Sequence, residues 1–330
     1  MMLKKKNQPL KNKAMPALKL NKTYILMAVA VTAAFGILFA CKQKTDANGN
    51  VILEETMTTG NITLLVDESV KPIVEDVLQV FSSVYPNAHI KQVSSTENEI
   101  INALLKDSIK SAVLSRPLTT EEEKHFTERG LVPEVTFFAT DALAVIASGT
   151  VSDTIITVQE INNVLKGLPS SKIKTLVLDN PNSGTVHYLM QQAGVVKLPS
   201  DNVIYRQNSA EVINFVSNNP QTVGIVGVNW IVQPTPQLKK VVENLTVLAV
   251  DNVKIDKTEK KYYKPNQSNI GAGFYPFTRK LYVLNYQGRK GLGIGFANYI
   301  RATQGQLIIL KSGLLPHEIP TREINVRNEL

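Results

Sequence analysis

Apolar residues along this chain fall into runs of two kinds. Asn61 to Val66 (NITLLV) is a short β-rich run. Val70 to Val84 then carries apolar residues at Ile73, Val74, Val77, Leu78, Phe81 and Val84, the spacing of one helix face. AHIKQV predicts a second strand, NEIINALLKD a second helix and SAVLS a third strand. After a turn at Arg116 and Pro117, TTEEEKHFTERG reads as a helix, with Thr120 and an acidic first turn at its start. EVTFFA and DALAVIAS follow, two apolar runs separated only by Thr140 and Asp141. The order βαβαβ with buried strands predicts an α/β fold on a parallel-type sheet.

A second series begins near Thr157 with the helical VQEINNVLKG, then KTLVLD, the turn within LDNPNSGTVHYL, the helical AEVINFVSNN and the strand VGIVGV. TVLAVD and LYVLN come next, and helical segments around Gly295 to Arg301 and Thr303 to Lys311 close the pattern. No repeat of fixed period interrupts it. Two such series predict two α/β lobes.

The amino-terminal stretch departs from this pattern and changes how the charge is read. The formal charge of +8 first points to an acidic partner. Seven of the 36 basic residues precede Tyr24, however, and none of the 28 acidic residues precedes Asp46, which leaves 29 basic against 28 acidic from Cys41 onward. The body is close to neutral and offers no basic stripe for nucleic acid. The lysines lead into the apolar run Tyr24 to Ala40, which stops at Cys41, the single cysteine of the chain. A basic region, an apolar region and small residues at a cleavage point make a secretory signal over residues 1–40. Leu38, Phe39, Ala40 and Cys41 resemble a bacterial lipobox, with Phe39 bulkier than the usual residue. Lipidation of Cys41 and a membrane lipid anchor are expected; a transmembrane anchor is the alternative. Residues 41–60, polar at their start, are expected to be a flexible tether.

Three strand ends carry candidate chemistry. Ser183, Gly184 and Thr185 stand after a strand and before a helix, where free backbone N–H groups, two hydroxyls and the positive end of a helix dipole suit an anion. Simple helix capping explains the same residues. Ser69 opens the helix after NITLLV, and Ser115 and Arg116 end SAVLS. In open α/β sheets ligands sit outside the carboxyl ends of strands, so these residues define one candidate cleft.

Enzyme and metal chemistry find less support. S-x-x-K at Ser171 to Lys174, SDN at Ser200 to Asn202 and KSG at Lys311 to Gly313 follow the order of motifs in penicillin-recognising enzymes. Lys172 to Leu178 alternates as a strand does, which would send Ser171 and Lys174 to opposite faces. The four histidines lack metal-ligand spacing, and the body keeps no cysteine to join them. His187 reads as a solvent-facing helix position. No nucleophile, base and orienter assemble, so the chain is expected to be no enzyme, without cofactor or metal.

Taken in order, NITLLVDESVKPI, LSRPLTTEE, DALAVIAS, NSGT, VGIVGV, YPFTRKLYVLN and SGLLP resemble the phosphate-binding proteins of bacterial ABC transporters. The resemblance spans roughly Asn61 to Pro316. It implies a two-lobed periplasmic-binding-protein fold of type II, with DALAVIAS and TVLAVD as the two crossing strands. Lobe 1 would be residues 61–140 and 249–330, and lobe 2 residues 141–248. It also implies a monomer that delivers inorganic phosphate, or a similar oxyanion, to an ABC permease. Ser183, Gly184 and Thr185 match the family's phosphate loop, preceded here by Asn182, and Ser69 matches the hydroxyl of its first loop. Ser115 falls where the family often has an acceptor carboxylate, and Arg116 beside it would be a donor.

Two departures stand out: the first loop carries Val66, Asp67 and Glu68 instead of small residues, and Asp179 occupies the place of an arginine. Phosphate at neutral pH keeps a proton that a carboxylate can accept, whereas sulfate would meet a repelled lone pair. Asp67, Glu68 or Asp179 is therefore a candidate acceptor, with Arg116 as the cation. The alternatives are a different small ligand, or an envelope adaptor with a degenerate cleft.

Overall fold

The computed structural model describes residues 55–199, 201–255, 261–288 and 290–319, within one compact unit, Glu54–Leu330. The expected leader, Cys41 and residues 41–54 of the tether lie outside the described residues. The rest of the expected tether is docked. Glu55 Oε1 accepts hydrogen bonds from Leu292 N at 3.0 Å and Gln287 Nε2 at 2.6 Å. A Cβ on Gly295 would lie 1.7 Å from Met57 O, so only glycine lets the chain cross there.

Strand β1 (Gly60–Asp67) passes through a short 3-10 turn, Glu68–Val70, into α1 (Lys71–Val84). Ile73, Val74, Val77, Leu78 and Phe81 are buried along one face, as their spacing predicts; Val84, where the helix ends, is largely exposed. Strand β2 (Ala88–Ser95) leads to α2 (Glu97–Leu105), and β3 (Ser111–Leu114) leads to α3 (Thr120–Thr127). Both of these helices begin with a capping box, Thr96 with Glu99 and Thr119 with Glu122, which satisfies amides that the first turn leaves free.

EVTFFA and DALAVIAS are one continuous strand, β4 (Glu134–Ser148). The second series supplies β5 (Ile155–Ile156), α4 (Val158–Leu165), β6 (Thr175–Leu178), α5 (Gly184–Ala193), β7 (Val203–Tyr205), α6 (Ser209–Asn218) and β8 (Thr222–Gly227). Then follow β9 (Leu245–Val247), β10 (Ala249–Asp251), β11 (Tyr262–Tyr263) and β12 (Thr278–Asn285), and the described chain closes with α7 (Leu292–Arg301), α8 (Thr303–Lys311) and β13 (Leu315–Pro316).

The main sheet runs β2-β1-β3-β12-β4-β8-β6-β7, with β9 and β13 also pairing β4. It is mixed where a parallel type was expected: β2 and β3 are parallel to β1, but β12 enters antiparallel between β3 and β4. A late strand returning from the second half inserts in that direction. Strand β4 links the halves by changing partner. Residues up to Ala142 pair with β12, whereas Leu143 to Ala147 pair with β8. A second passage runs through β9, paired to the end of β4, and β10, which joins β5 and β11 in a small separate sheet. A large apolar cluster runs through both halves, from Leu64 and Phe81 to Leu176 and Ile225, and each half packs a smaller one of its own. Ile100, Leu104, Leu114, Phe126 and Tyr286 belong to the first, and Val177, Val212, Val216, Val226 and Trp230 to the second. Helix α7 brings Phe296 edge-on to Phe81 of α1, centroids 5.8 Å apart, so the end of the described chain packs on its beginning.

Candidate functional site

The carboxyl ends of β1, β3, β6 and β8 hand the chain to Asp67, Ser115, Asp179 and Asn229, and β12, running the other way, brings its first residues to the same place. At the floor, Arg279 and Asp141 are register partners in adjacent antiparallel strands, so their side chains share a face. They meet where β4 changes partner. Arg279 Nε and Nη2 donate to Asp141 Oδ2 at 3.0 and 2.9 Å, Nη2 also to Ser69 Oγ at 2.9 Å, and Nη1 to Thr185 Oγ1 at 3.4 Å. One buried guanidinium thus reaches a hydroxyl from each half. Burial works against its charge, but Asp141 and Asp67 hold it protonated.

Above this floor the amide of Gly184 donates to Asp67 Oδ2 at 2.9 Å, across the two halves. The other oxygen of Asp67 accepts from Ser69 N at 2.9 Å and Ser69 Oγ at 2.5 Å. Ser183 caps α5, accepting from Val186 N, and its hydroxyl donates to Asp179 Oδ1 at 2.5 Å. A Cβ on Gly184 would sit 2.6 Å from Ser115 Oγ, 2.8 Å from Asp67 Oδ2 and 3.0 Å from Glu97 Oε2, so the turn admits the opposing side chains only because the residue is glycine. Ser69, Ser115, Ser183, Gly184 and Thr185 are therefore brought together.

The other expected residues are placed differently. Glu68 turns to α6, where its Oε2 accepts from Ser209 N and Oγ at 3.1 and 2.9 Å. Trp230 Nε1 donates to Ser69 O at 2.9 Å beside it. Asn182 lies at the outer edge, its Oδ1 accepting from Asn98 Nδ2 at 3.1 Å. Arg116 is on the rim and is not the cation of the floor. Its Nε donates to Glu97 Oε1 at 2.8 Å, Nη1 to Pro117 O and Glu122 Oε2, both at 2.9 Å, and Nη2 to Glu122 Oε1 at 3.1 Å. Glu122, fixed by its capping box, draws the guanidinium outward. His187, expected to face solvent, instead places Nδ1 3.0 Å from Glu97 Oε1. As for the S-x-x-K motif, Ser171 Oγ donates to Glu160 and Lys174 Nζ to Gln221, so neither activates the other.

The electrostatics are dominated by acids in a confined space. Burial pushes the Asp179 carboxyl up to about 8; Ser183 opposes this, and the nearby charges of Glu68 and Asp67 add to it. Burial likewise raises Glu68 to about 7 against the hydrogen bonds from Ser209. Glu97 goes the other way: burial favours its neutral form, but hydrogen bonds from His187 and Arg116 outweigh it and lower the value. Three buried side chains keep unpartnered polar atoms here, Asp179 at Oδ2, Asp141 at Oδ1 and Asn229 at both amide atoms. Asn229 belongs to the same cluster, since a Cβ on Gly227 would meet its Oδ1 at 2.6 Å, Ser69 O at 3.0 Å and Asp141 Oδ2 at 3.4 Å. Among the described residues no group of His, Cys, Asp and Glu is arranged to hold a metal ion. Hydroxyls, a helix-terminal amide and one shared guanidinium suit a small oxyanion.

Residues 54–303 match the family described as PBP superfamily domain. The chain belongs to the PBP superfamily. Its curated relatives include the phosphate-binding protein PstS of Borreliella burgdorferi, 22% identical over 314 residues that cover 90% of this chain and 99% of that protein. Among solved structures, a putative phosphate ABC transporter substrate-binding protein with bound phosphate from Clostridium perfringens superposes with a TM-score of 0.63 at 17% identity. It covers 78% of this chain and 100% of its own. An ABC-type phosphate transport receptor from Vibrio cholerae gives 0.58 at 17% identity, over the same shares of the two chains. These superpositions show that this PBP-superfamily chain has the mixed α/β fold of periplasmic binding proteins. Three members of the site escaped sequence reasoning: Arg279, Asn229 and Glu97. Arg279 lay in plain view within YPFTRKLYVLN, but nothing local in the sequence marks its register with Asp141.

Proposed function

We propose that this chain is an extracytoplasmic solute receptor. It captures inorganic phosphate, or a close oxyanion, between two lobes and delivers it to an ABC permease without chemistry. The lobes are residues 61–140 with 249–330, and 141–248. Lipid on Cys41 anchors the monomer to a membrane. The observation that carries the reading is the contact between Gly184 N and Asp67 Oδ2. A carboxylate oxygen from one half sits on the helix-terminal amide of the other, where an oxyanion oxygen is bound, with Ser69, Thr185 and Arg279 around it. The relatives named as phosphate-binding proteins support the choice of ligand.

When the lobes part, Asp67 leaves with one and Gly184 with the other, and the amide is free for phosphate. On closure Asp67 accepts the phosphate proton, and a ligand touching both lobes favours the closed state. Calorimetry on the chain from Asn50 onward should show phosphate and arsenate binding well ahead of sulfate, which has no proton for Asp67. The carboxylate on the amide also favours a second reading, an envelope adaptor whose cleft Asp67 keeps shut. In that case none of the three anions gives heat, and small-angle scattering is unchanged at saturating phosphate. A more compact particle with phosphate sets the adaptor aside.

A further inference from the structure

Asp179 is 1% exposed, and only one of its oxygens is used: Oδ1 takes the Ser183 hydroxyl at 2.5 Å while Oδ2 has no partner. A buried, unpaired carboxylate oxygen is costly. The ionisable groups facing it are Glu68 and Asp67 from the end of β1 and its following turn, and Arg279 from β12. Further out, Arg279 is already paired with Asp141, Glu97 is paired with Arg116 and His187, and Tyr188 on α5 feels both Arg279 and Asp141. Lys71 acts on Glu68. Among the described residues, three acids, Asp67, Glu68 and Asp179, thus crowd a site whose one buried guanidinium is matched by a fourth, Asp141. An ionised Asp179 would leave the cluster with surplus negative charge before any anion arrived.

We propose that Asp179 is a specificity-determining residue of the cleft: it meets the bound oxyanion as a neutral carboxylic acid and donates a hydrogen bond to it from Oδ2. The inference rests on the phosphate reading above and deepens it. Ser183 donates to Oδ1, which leaves the acid proton on Oδ2. The same side chain position then serves as a donor although it carries no positive charge. Phosphate fits such a pair of acids, because its own proton goes to Asp67 while an unprotonated oxygen accepts from Asp179. Above neutrality, binding must recruit a proton to Asp179, whose value of about 8 places the demand between pH 7 and 9.

The test compares wild type with Asp179→Asn and Asp179→Ala as full chains in detergent, titrated with inorganic phosphate from pH 6.5 to pH 9. Asparagine keeps both roles, accepting from Ser183 and donating to the ligand, but cannot ionise. Alanine should lose about tenfold in affinity at pH 6.5, as expected for one hydrogen bond to a charged ligand, and asparagine should recover most of that loss. The ratio of wild-type to asparagine affinity, in which the titration of phosphate cancels, should fall about tenfold by pH 9. A flat ratio, or an asparagine variant as weak as alanine, overturns the proposal.

Melting without ligand reads the acid itself. The folded chain keeps the Asp179 proton above the ordinary value of 3.8 and the unfolded chain loses it. Wild type should therefore lose stability relative to Asp179→Asn as pH rises from about 4 to about 8, and no further beyond that. If that gap grows as expected while no variant binds phosphate, the receptor reading has failed and this role falls with it. If phosphate binds and the gap stays constant, the receptor reading stands and Asp179 is not the donor.

Discussion

The floor and the rim of the candidate site each hold one arginine, and their partners set them apart. Arg279, 5% exposed, divides its donors among Asp141, Ser69 and Thr185, so a single charge ties β12, β4, the turn after β1 and the start of α5 together. Arg116, with about a third of its side chain exposed, gives its donors to Glu97, Glu122 and the Pro117 carbonyl, all from its own half. A part-exposed pair such as Arg116 with Glu122 gains little because water already solvates much of both charges. A buried pair at a crossover leaves a stranded carboxylate if broken, which is far more costly. Position in the sheet, more than residue type, decides which arginine is buried between the halves.

Arg279→Met is the substitution expected to do most. It strands Asp141, and destabilisation of about 3–5 kcal/mol is expected in urea unfolding, together with loss of measurable phosphate binding. Should Asp141→Asn combined with Arg279→Met restore stability but not binding, the two roles of the arginine separate cleanly. A floor that tolerates Arg279→Met in both assays would remove the contrast with the rim.

Gly184→Ala comes next. Its Cβ would crowd Ser115 Oγ, Asp67 Oδ2 and Glu97 Oε2, all side-chain atoms of the first half, so the cost falls on the closed arrangement rather than on α5 itself. Overpacking of this kind costs about 1–3 kcal/mol, which should appear as a drop in phosphate affinity of about ten- to hundredfold with little change in melting of the open form. Scattering should show a wider particle at any phosphate concentration. Equal compaction of wild type and variant would mean that Gly184 does not set the approach of the halves.

Much of this was legible in the sequence, and the reasons differ by element. The 3.6-residue spacing of Ile73, Val74, Val77, Leu78 and Phe81 announced α1, and the acidic first turn after Thr120 announced the start of α3, because these signals are local. The Ser-Gly-Thr turn was legible for the same reason. The mixed sheet was not: the placement of β12 between β3 and β4 depends on pairing over a long sequence separation, which periodicity does not encode. Arg279 was missed as a direct result, since its role comes from its register with Asp141. The position of Arg116 at a strand end was visible in sequence, whereas the two glutamates that take its donors are visible only in three dimensions.

The smallest effect expected is at the rim, and it gives the sharpest check on the comparison. Arg116→Met removes hydrogen bonds to Glu97 and Glu122, but Glu97 keeps His187, so a loss of about 1–2 kcal/mol in stability at pH 7 is expected. The Glu97 carboxyl titrates below its ordinary value of 4.5 in the folded chain. Its stabilising contribution is therefore complete above that value and disappears as pH falls through the lower folded one. Removing Arg116 brings the folded value closer to the ordinary one. The stability gap between wild type and variant should accordingly narrow as pH drops through and below 4.5. Phosphate affinity should stay within about threefold of wild type, less than 1 kcal/mol. A tenfold loss of affinity with an unchanged acid limb would return Arg116 to the ligand and make the rim, not the floor, the seat of the cation.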